Sequence, residues 1–157
     1  MPMPKSVFNP LEHLYQLIAK GTIQKDIAIS RGDKTTTYTL RSLYDEDYTW
    51  RDQFVNMSSP AAMVSSQKSP TLAIATVAID GVAVEQLDDL QKMDDVDLPQ
   101  AVKDSVREGA KYLPAYNLHT HVYSKLPRDY VVELYEKYLR EIEIPARKVG
   151  VEDVKNS

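Results

Sequence analysis

The apolar residues near the start of the chain follow a helical spacing. They recur at intervals of three and four positions: Leu11, Leu14, Tyr15 and Ile18. This spacing is typical of one apolar face of a helix. Asn9 and Pro10 are a favoured cap and a favoured first helical residue, and Gly21 favours a stop. We therefore predict a helix from Pro10 to Lys20 that packs by one face.

After Gly21 the spacing of apolar residues changes to two. The alternating positions are Ile23, Ile27 and Ile29, and then Tyr38 and Leu40. Arg31-Gly32-Asp33 between the two sets is typical of a tight turn, and threonines occupy the intervening positions of the second set. This pattern predicts a β-hairpin with one polar face and one face that helices must cover.

Helical signals return at Ser42. Three serines stand where we predict helices to begin: Ser42, three residues before Asp45, and Ser59 and Ser69, each followed by proline. The first of these spacings is that of a capping box. Leu43, Trp50 and Phe54 then share one predicted helix face.

The middle of the chain is apolar and then acidic. Thr71 to Ile79 is apolar almost all round, which predicts a buried central helix, although its β-branched residues leave a strand open. Asp80-Gly81 ends it, and Val82 to Val84 is a short extended piece. The strongly acidic stretch Glu85 to Asp97 leads to a helix predicted from about Pro99 to Tyr112.

The last third contains the clearest amphipathic helix. Leu113 to Lys125 shows no sustained period and is interpreted as a loop or irregular strand. Pro127 then begins a helix whose apolar face is Val131, Leu134, Tyr135, Tyr138 and Ile142. We expect it to end before Pro145. The fold predicted for residues 1–157 is a single α+β domain, mostly α. A small N-terminal β-hairpin packs on a bundle of about five helices, with a polar, mobile C-terminal tail after about 145.

Composition and charge exclude several function classes. The 157 residues carry 19 Lys and Arg against 23 Asp and Glu, a formal net charge of −4, and no cysteine. Without a basic stripe we expect no nucleic-acid partner, and without cysteine there is no thiol or disulfide chemistry. No apolar run has the length of a signal peptide core or a membrane span. We expect no membrane partner and a location in a cytoplasm.

His119-Thr120-His121 is the strongest candidate for chemistry. On a strand the two imidazoles would point to one face and form half of a metal site. A small cytosolic metal-dependent enzyme that uses His119 and His121 is therefore our alternative hypothesis. The nearby sequence offers no third ligand, and the chain contains no nucleophile elbow, phosphate loop or zincin helix. We assign no catalytic, cofactor-binding or metal-binding residue and expect no cofactor and no enzyme activity.

Tyrosine supplies most of the aromatic residues, with ten Tyr against one Trp and two Phe. Tyrosine suits positions that are apolar at one end and wet at the other. Such positions occur at the rim of a small core and at protein contact surfaces. The composition leaves both readings open.

Short segments in several parts of the chain carry a family resemblance. They are Tyr38 to Asp45, Trp50-Arg51-Asp52, Thr71 to Ala75, Ile79-Asp80-Gly81-Val82, and the Leu126-Pro127 helix with its Leu134-Tyr135. The chain resembles the small tail-assembly and baseplate-hub assembly proteins of tailed bacteriophages. In that family a short β-hairpin precedes a helical body, and an apolar helix leads to an Ile-Asp-Gly turn.

The resemblance implies a non-enzymatic protein that binds a tail or baseplate structural protein during assembly. Such a protein acts either as an assembly chaperone or as a retained baseplate subunit, and it is found in the host cytoplasm during assembly or in the virion tail. Self-association into a homo-oligomer stays open. We expect the binding surface at the strand edge of the hairpin or at the acidic segment from Glu85 to Asp97.

Overall fold

The fold described here is that of a computed structural model. The structure describes residues 9–87, 90 and 112–155. The predicted helix from Pro99, except Tyr112, lies outside these residues. So does most of the acidic segment that precedes it.

The described residues form seven α-helices and four strands. The helices are α1 (Glu12–Gly21), α2 (Asp45–Asp52), α3 (Pro60–Ser66), α4 (Lys68–Ala75), α5 (Leu113–His121), α6 (Arg128–Tyr138) and α7 (Ile144–Lys155). The strands are β1 (Gln24–Arg31), β2 (Lys34–Arg41), β3 (Thr76–Ile79) and β4 (Val82–Ala83). Turns of 3₁₀-helix lie at Val84–Gln86 and Tyr123–Lys125, and a π-helical turn at Leu139–Glu143. The predicted α+β class, mostly α, is confirmed.

The predicted hairpin is the first half of a four-stranded antiparallel sheet in the order β1-β2-β3-β4. Gly32 takes a positive φ of 62° at the first position of the hairpin turn, as turns of this kind require. The turn between β3 and β4 also uses positive φ, at Asp80 (49°) and Gly81 (80°). Asp80 ties this turn to β2, because its Oδ1 accepts from the Thr37 N–H at 2.8 Å.

One face of the sheet is buried under helices, as predicted. Ile27, Ile29, Tyr38 and Leu40 join the core, and three of the outward positions of β2 are threonines. The apolar face predicted for α6 and the turn after it is buried throughout: Val131, Leu134, Tyr135, Tyr138 and Ile142. This face and the buried residues of α4 and α5 cover the sheet.

The predicted helix starts have mixed outcomes. Ser59 caps α3, since its side chain accepts from the Ala62 N–H at 3.0 Å. The helix predicted at Ser69 is present but begins at Lys68, so Ser69 lies inside α4 and does not cap it. The predicted cap at Ser42 is also wrong, because α2 begins at Asp45. The Ser42 hydroxyl instead bridges the loop before β1, donating to the Gly21 carbonyl at 2.8 Å and accepting from the Ile23 N–H at 3.0 Å.

The segment from Thr71 to Ile79 is divided between a helix and a strand. Helix α4 ends at Ala75, and the β-branched alternative holds from Thr76 to Ile79, which pairs with β2. The Thr76 hydroxyl lies 2.6 Å from the Leu72 carbonyl oxygen and 2.7 Å from the Tyr123 hydroxyl. A single buried threonine therefore marks the change from helix to strand.

The interpretation of Leu113 to Lys125 as a loop or strand is wrong. Residues 113–121 form α5, and its residues from Pro114 to Leu118 are all buried. A helix that is buried on most sides has no polar face, so its sequence shows no amphipathic period.

The predicted helix end before Pro145 is wrong as well. After α6 the π-helical turn leads directly into α7, in which Pro145 is the second residue. The Ile144 N–H donates to the Leu139 carbonyl, so the helical hydrogen bonds continue up to Pro145, and the missing N–H of the proline falls directly after the wider π-helical turn. The residues after 145, expected to form a mobile tail, continue as α7 to Lys155.

Candidate protein-binding surface

Helix α1 exposes the apolar face that we expected it to bury. The exposed fractions are 48% for Leu11, 50% for Leu14, 58% for Tyr15 and 54% for Ile18. We call these four residues the α1 stripe. The prediction that this face packs is wrong: α1 contacts α7 near its C-terminal end, where Gly21 lies beside Ala146, and the four side chains stay about half exposed. Contiguous exposed apolar residues on a small protein typically mark an interaction site.

A cavity of about 260 Å³ lies beside the stripe. Its walls come from α1, the start of α2, the π-helical turn and α7: Leu17, Ile18, Gly21, Thr22, Leu43, Tyr44, Tyr48, Glu143, Ala146 and Arg147. Ile18 belongs to both the cavity and the α1 stripe. The cavity and the stripe therefore form one continuous surface.

Glu143 brings a buried carboxylate to the wall of this cavity. Its side chain is 3% exposed. Oε1 accepts hydrogen bonds from the Tyr48 hydroxyl at 3.0 Å and from Nη2 of Arg147 at 2.7 Å. Oε2 has no hydrogen-bond partner among the residues that the structure describes, and neither has the hydroxyl of Tyr138. A buried polar atom without a partner is rare in folded proteins.

Burial and the Glu143 carboxylate both disfavour the ionised form of two neighbouring tyrosines. Burial raises the pKa of Tyr48, and the charge of Glu143 raises it further. The same two causes, in the same order, raise the pKa of Tyr138. A phenol is already protonated at neutral pH, because its usual pKa is about 10, so the shifts extend its donor role to more alkaline solution.

The π-helical turn places Glu143 in this position. Glu143 falls outside the apolar face predicted from the sequence, and it becomes buried because the turn from Leu139 to Glu143 is wider than an α-helical turn. π-helical turns inside α-helices are frequent at functional sites. Sequence reasoning missed Glu143, and the amphipathic period carries no signal for it.

The comparisons with known proteins return no relative. No family model, no curated protein and no solved structure matches the chain.

The two candidate histidines do not form a metal half-site. They lie on helix α5, where residues two apart point to different sides. Nδ1 of His119 lies 2.8 Å from the Ser69 hydroxyl, and its ring contacts Phe54, whereas His121 is exposed. Burial lowers the pKa of His119. Among the described residues no group of three His, Cys, Asp or Glu side chains lies close enough to hold a metal ion.

The free edge of β1, our first expectation for the binding surface, is partly covered. Because Arg31 and Lys34 close the hairpin, the backbone groups of Ala28 and Ser30 point away from β2. Nζ of Lys137 donates to the Ala28 carbonyl at 3.1 Å, and Nη1 of Arg31 donates to the Ser30 carbonyl at 2.8 Å. Cationic side chains of this kind protect strand edges from pairing with other chains.

Most of the tyrosines lie either in the core or at this surface. Five are buried: Tyr38, Tyr116, Tyr123, Tyr135 and Tyr138. Tyr15 and Tyr44 are exposed, and one belongs to the α1 stripe and the other to the cavity wall. Within the described part of the chain no helix is long and apolar enough to cross a membrane.

Proposed function

We propose that this chain is a non-enzymatic bacteriophage assembly protein that binds a structural protein of the tail or baseplate. It acts as an assembly chaperone or as a retained subunit. The observation that supports binding is the α1 stripe. The kind of partner comes from the resemblance to phage assembly proteins.

The stripe favours a protein partner over a small molecule. Its four side chains lie on one face of a single helix, three and four residues apart, and each is about half exposed. A helix of this kind gains stability when its apolar face is covered by the apolar face of another segment. Each square ångström of apolar surface that the partner covers contributes roughly 25 cal/mol.

The proposal is tested by recovering the tagged protein from the cells that naturally express it and identifying its partners by mass spectrometry. Leu14→Asp places a charge in the middle of the stripe at a half-exposed position. Gln16→Asp is the matched control, because it adds the same charge to the same helix at an exposed polar position.

The wild type and Gln16→Asp are expected to recover tail or baseplate structural proteins. Leu14→Asp should reduce their recovery roughly tenfold or more, because an unpaired charge cannot be buried cheaply in an apolar interface. Equal recovery by all three forms would overturn the proposal. Recovery of partners that are not tail or baseplate proteins would overturn its phage component.

A further inference from the structure

We infer that a cavity between α3, α4 and the start of α6 binds the carboxylate of an acidic side chain of the partner protein, with Lys68 and Arg128 as its cationic contacts. This inference deepens the proposed function and rests on it. It adds a charged contact to the proposed interaction, formed by other residues than the α1 stripe.

This second cavity is positively charged. Its volume is about 250 Å³, and Lys68 and Arg128 line it together with three serines and four apolar residues. Arg128 is exposed at the start of α6, and Lys68 is partly buried at the start of α4. None of the described residues that line the cavity is acidic. The cavity therefore gathers cations on a chain whose formal net charge is −4.

Both cations keep donors for an anion. Within the described part of the chain neither forms an ion pair, and Asp129, the acid next to Arg128, does not line the cavity. Nζ of Lys68 donates to the Val64 carbonyl at 3.1 Å and lies 5.9 Å from the centre of the Tyr135 ring. Neither of these contacts is an anion. Since an ammonium group has three N–H donors and a guanidinium group has five, several charged donors are left for a ligand.

Hydrogen bonds to α5 hold two walls of the cavity in place. The Ser69 hydroxyl lies 2.8 Å from Nδ1 of His119, and the Ser124 hydroxyl donates to the Thr120 carbonyl at 2.8 Å. These serines are therefore fixed before a ligand binds. Binding to a site that is already ordered costs less free energy than binding to one that must be ordered.

The remaining walls favour a carboxylate on a short stem over a free inorganic anion. They are the apolar side chains of Tyr123, Leu126, Val131 and Val132. The methylene groups of an aspartate or glutamate can pack on them, whereas inorganic phosphate has no apolar part. The volume of about 250 Å³ is also below the ~300–1,000 Å³ typical of small-molecule pockets. One side chain therefore fits better than a free metabolite.

Exposed apolar residues beside the cavity favour a protein as the source of the carboxylate. Met63 is 39% exposed and Val64 is 55% exposed, both on α3. Val64 directly precedes Ser65, which lines the cavity. A protein segment can cover these residues and insert an acidic side chain beside them, as interfaces combine apolar contacts with complementary charges.

The inference is tested on the full chain with butyrate, which has the size and charge of a glutamate side chain. Butyramide is the matched neutral probe, and inorganic phosphate is the probe for a free anion. NMR of the methyl groups of Leu126, Val131 and Val132 reports binding, at low ionic strength because salt screens exposed charges. We expect saturable shifts with butyrate. Its affinity should exceed that of butyramide roughly tenfold, because hydrogen bonds to a charged group are stronger than neutral ones.

Two variants connect this preference to the cations. Lys68→Gln and Arg128→Gln should each remove most of the preference for butyrate and leave binding of butyramide unchanged. Lys125→Gln is the matched control, because Lys125 is an exposed cation that does not line the cavity. Equal affinity for butyrate and butyramide would overturn the inference, as would an equal loss in Lys125→Gln. Tighter binding of phosphate than of butyrate would overturn the assignment to a carboxylate.

The two proposals can fail separately. If Leu14→Asp abolishes partner recovery but butyrate gives no saturable shift, the carboxylate site is wrong and the protein-binding function stands. If Leu14→Asp recovers the same partners as the wild type, the proposed function is wrong whatever the probe does. A partner that binds through the cavity should also be recovered less well by Arg128→Gln than by Lys125→Gln.

Discussion

The hydroxyl of Tyr48 donates a hydrogen bond to Oε1 of Glu143 at 3.0 Å and thereby joins α2 to the π-helical turn. The two residues are 95 positions apart in the chain. Glu143 therefore receives one neutral donor, the Tyr48 hydroxyl, and one charged donor, the guanidinium of Arg147.

Replacing this donor should destabilise the fold. Tyr48→Phe removes the hydroxyl and leaves Glu143 with one donor fewer, which should lower the free energy of unfolding by about 1–2 kcal/mol. Urea denaturation followed by circular dichroism measures this change. Tyr15→Phe is the control, because Tyr15 is 58% exposed and its hydroxyl should contribute nothing. Equal stability of the two variants would contradict the role given to Tyr48.

Stability should fall in mildly acidic solution through His119. Burial holds the pKa of His119 below its usual value in the folded protein. The unfolded chain therefore takes up a proton at a higher pH than the folded chain does. The contribution of His119 is complete above about pH 6.5, the usual histidine pKa. It is lost as the pH falls from there through the lowered pKa.

Urea midpoints measured from pH 7.5 to pH 5 test this expectation. His119→Asn removes the titrating group, so its midpoint should fall less with acidification than that of the wild type. His121→Asn is the control, because His121 is exposed, and it should follow the wild-type profile. A wild-type profile in both variants would show that another group controls the acid sensitivity.

Asp47 is expected to be essential for the start of α2. Its side chain is fully buried at 0% exposure, and Oδ2 accepts from Nη1 of Arg41 at 2.8 Å and from the Tyr44 N–H at 2.9 Å. Asp47→Asn should cost about 3 kcal/mol or more in unfolding free energy, because it leaves a largely buried guanidinium without its counter-charge.

Asp45→Asn is the matched control for Asp47→Asn. Asp45 is exposed in the same turn, so this variant should change the unfolding free energy by no more than about 0.5 kcal/mol. Thermal unfolding of both variants measures the difference. A cost for Asp45→Asn as large as that for Asp47→Asn would point to a general helix-dipole effect and contradict the role of the buried pair.

The lysine at the edge of β1 should limit self-association. Lys137→Met keeps the stem but removes the donor to the Ala28 carbonyl, which exposes a strand edge to pairing with other chains. Multi-angle light scattering at rising concentration should show a larger mean mass than for the wild type. Lys125→Met, at an exposed position outside the sheet, should behave as the wild type does. An unchanged mass for Lys137→Met would show that the edge is protected by other means.

The fold was predictable where one side of an element is buried and the other is wet. The apolar face of α6 and the two-residue alternation in the hairpin are examples, because the spacing of apolar residues shows which side of each element is buried. Helix α5 was missed because it is buried on most sides, so its sequence does not alternate between apolar and polar faces. The segment after Ala75 was ambiguous because β-branched residues serve both a buried helix and a strand, and pairing with β2 decides between them.

The candidate site was less predictable than the fold. The sequence shows that Leu14 and Tyr15 share an apolar face with their neighbours on α1, but whether that face is covered depends on how the helix sits on α7. Glu143 becomes part of a cavity wall through a change of helical type, which follows from packing. The hypothesis that His119 and His121 share one face depended on a strand, whereas the structure places both on helix α5.

The two hydrogen bonds of Ser42 also have a consequence for motion. They hold the residues on either side of Thr22, where α1 leaves for the sheet. Helix α1 buries none of its own side chains fully, and this junction and the contact with α7 both help to fix it in place. Helix α1 can then open as a unit while the sheet stays closed, and its amide hydrogens should exchange with solvent well before those of β2.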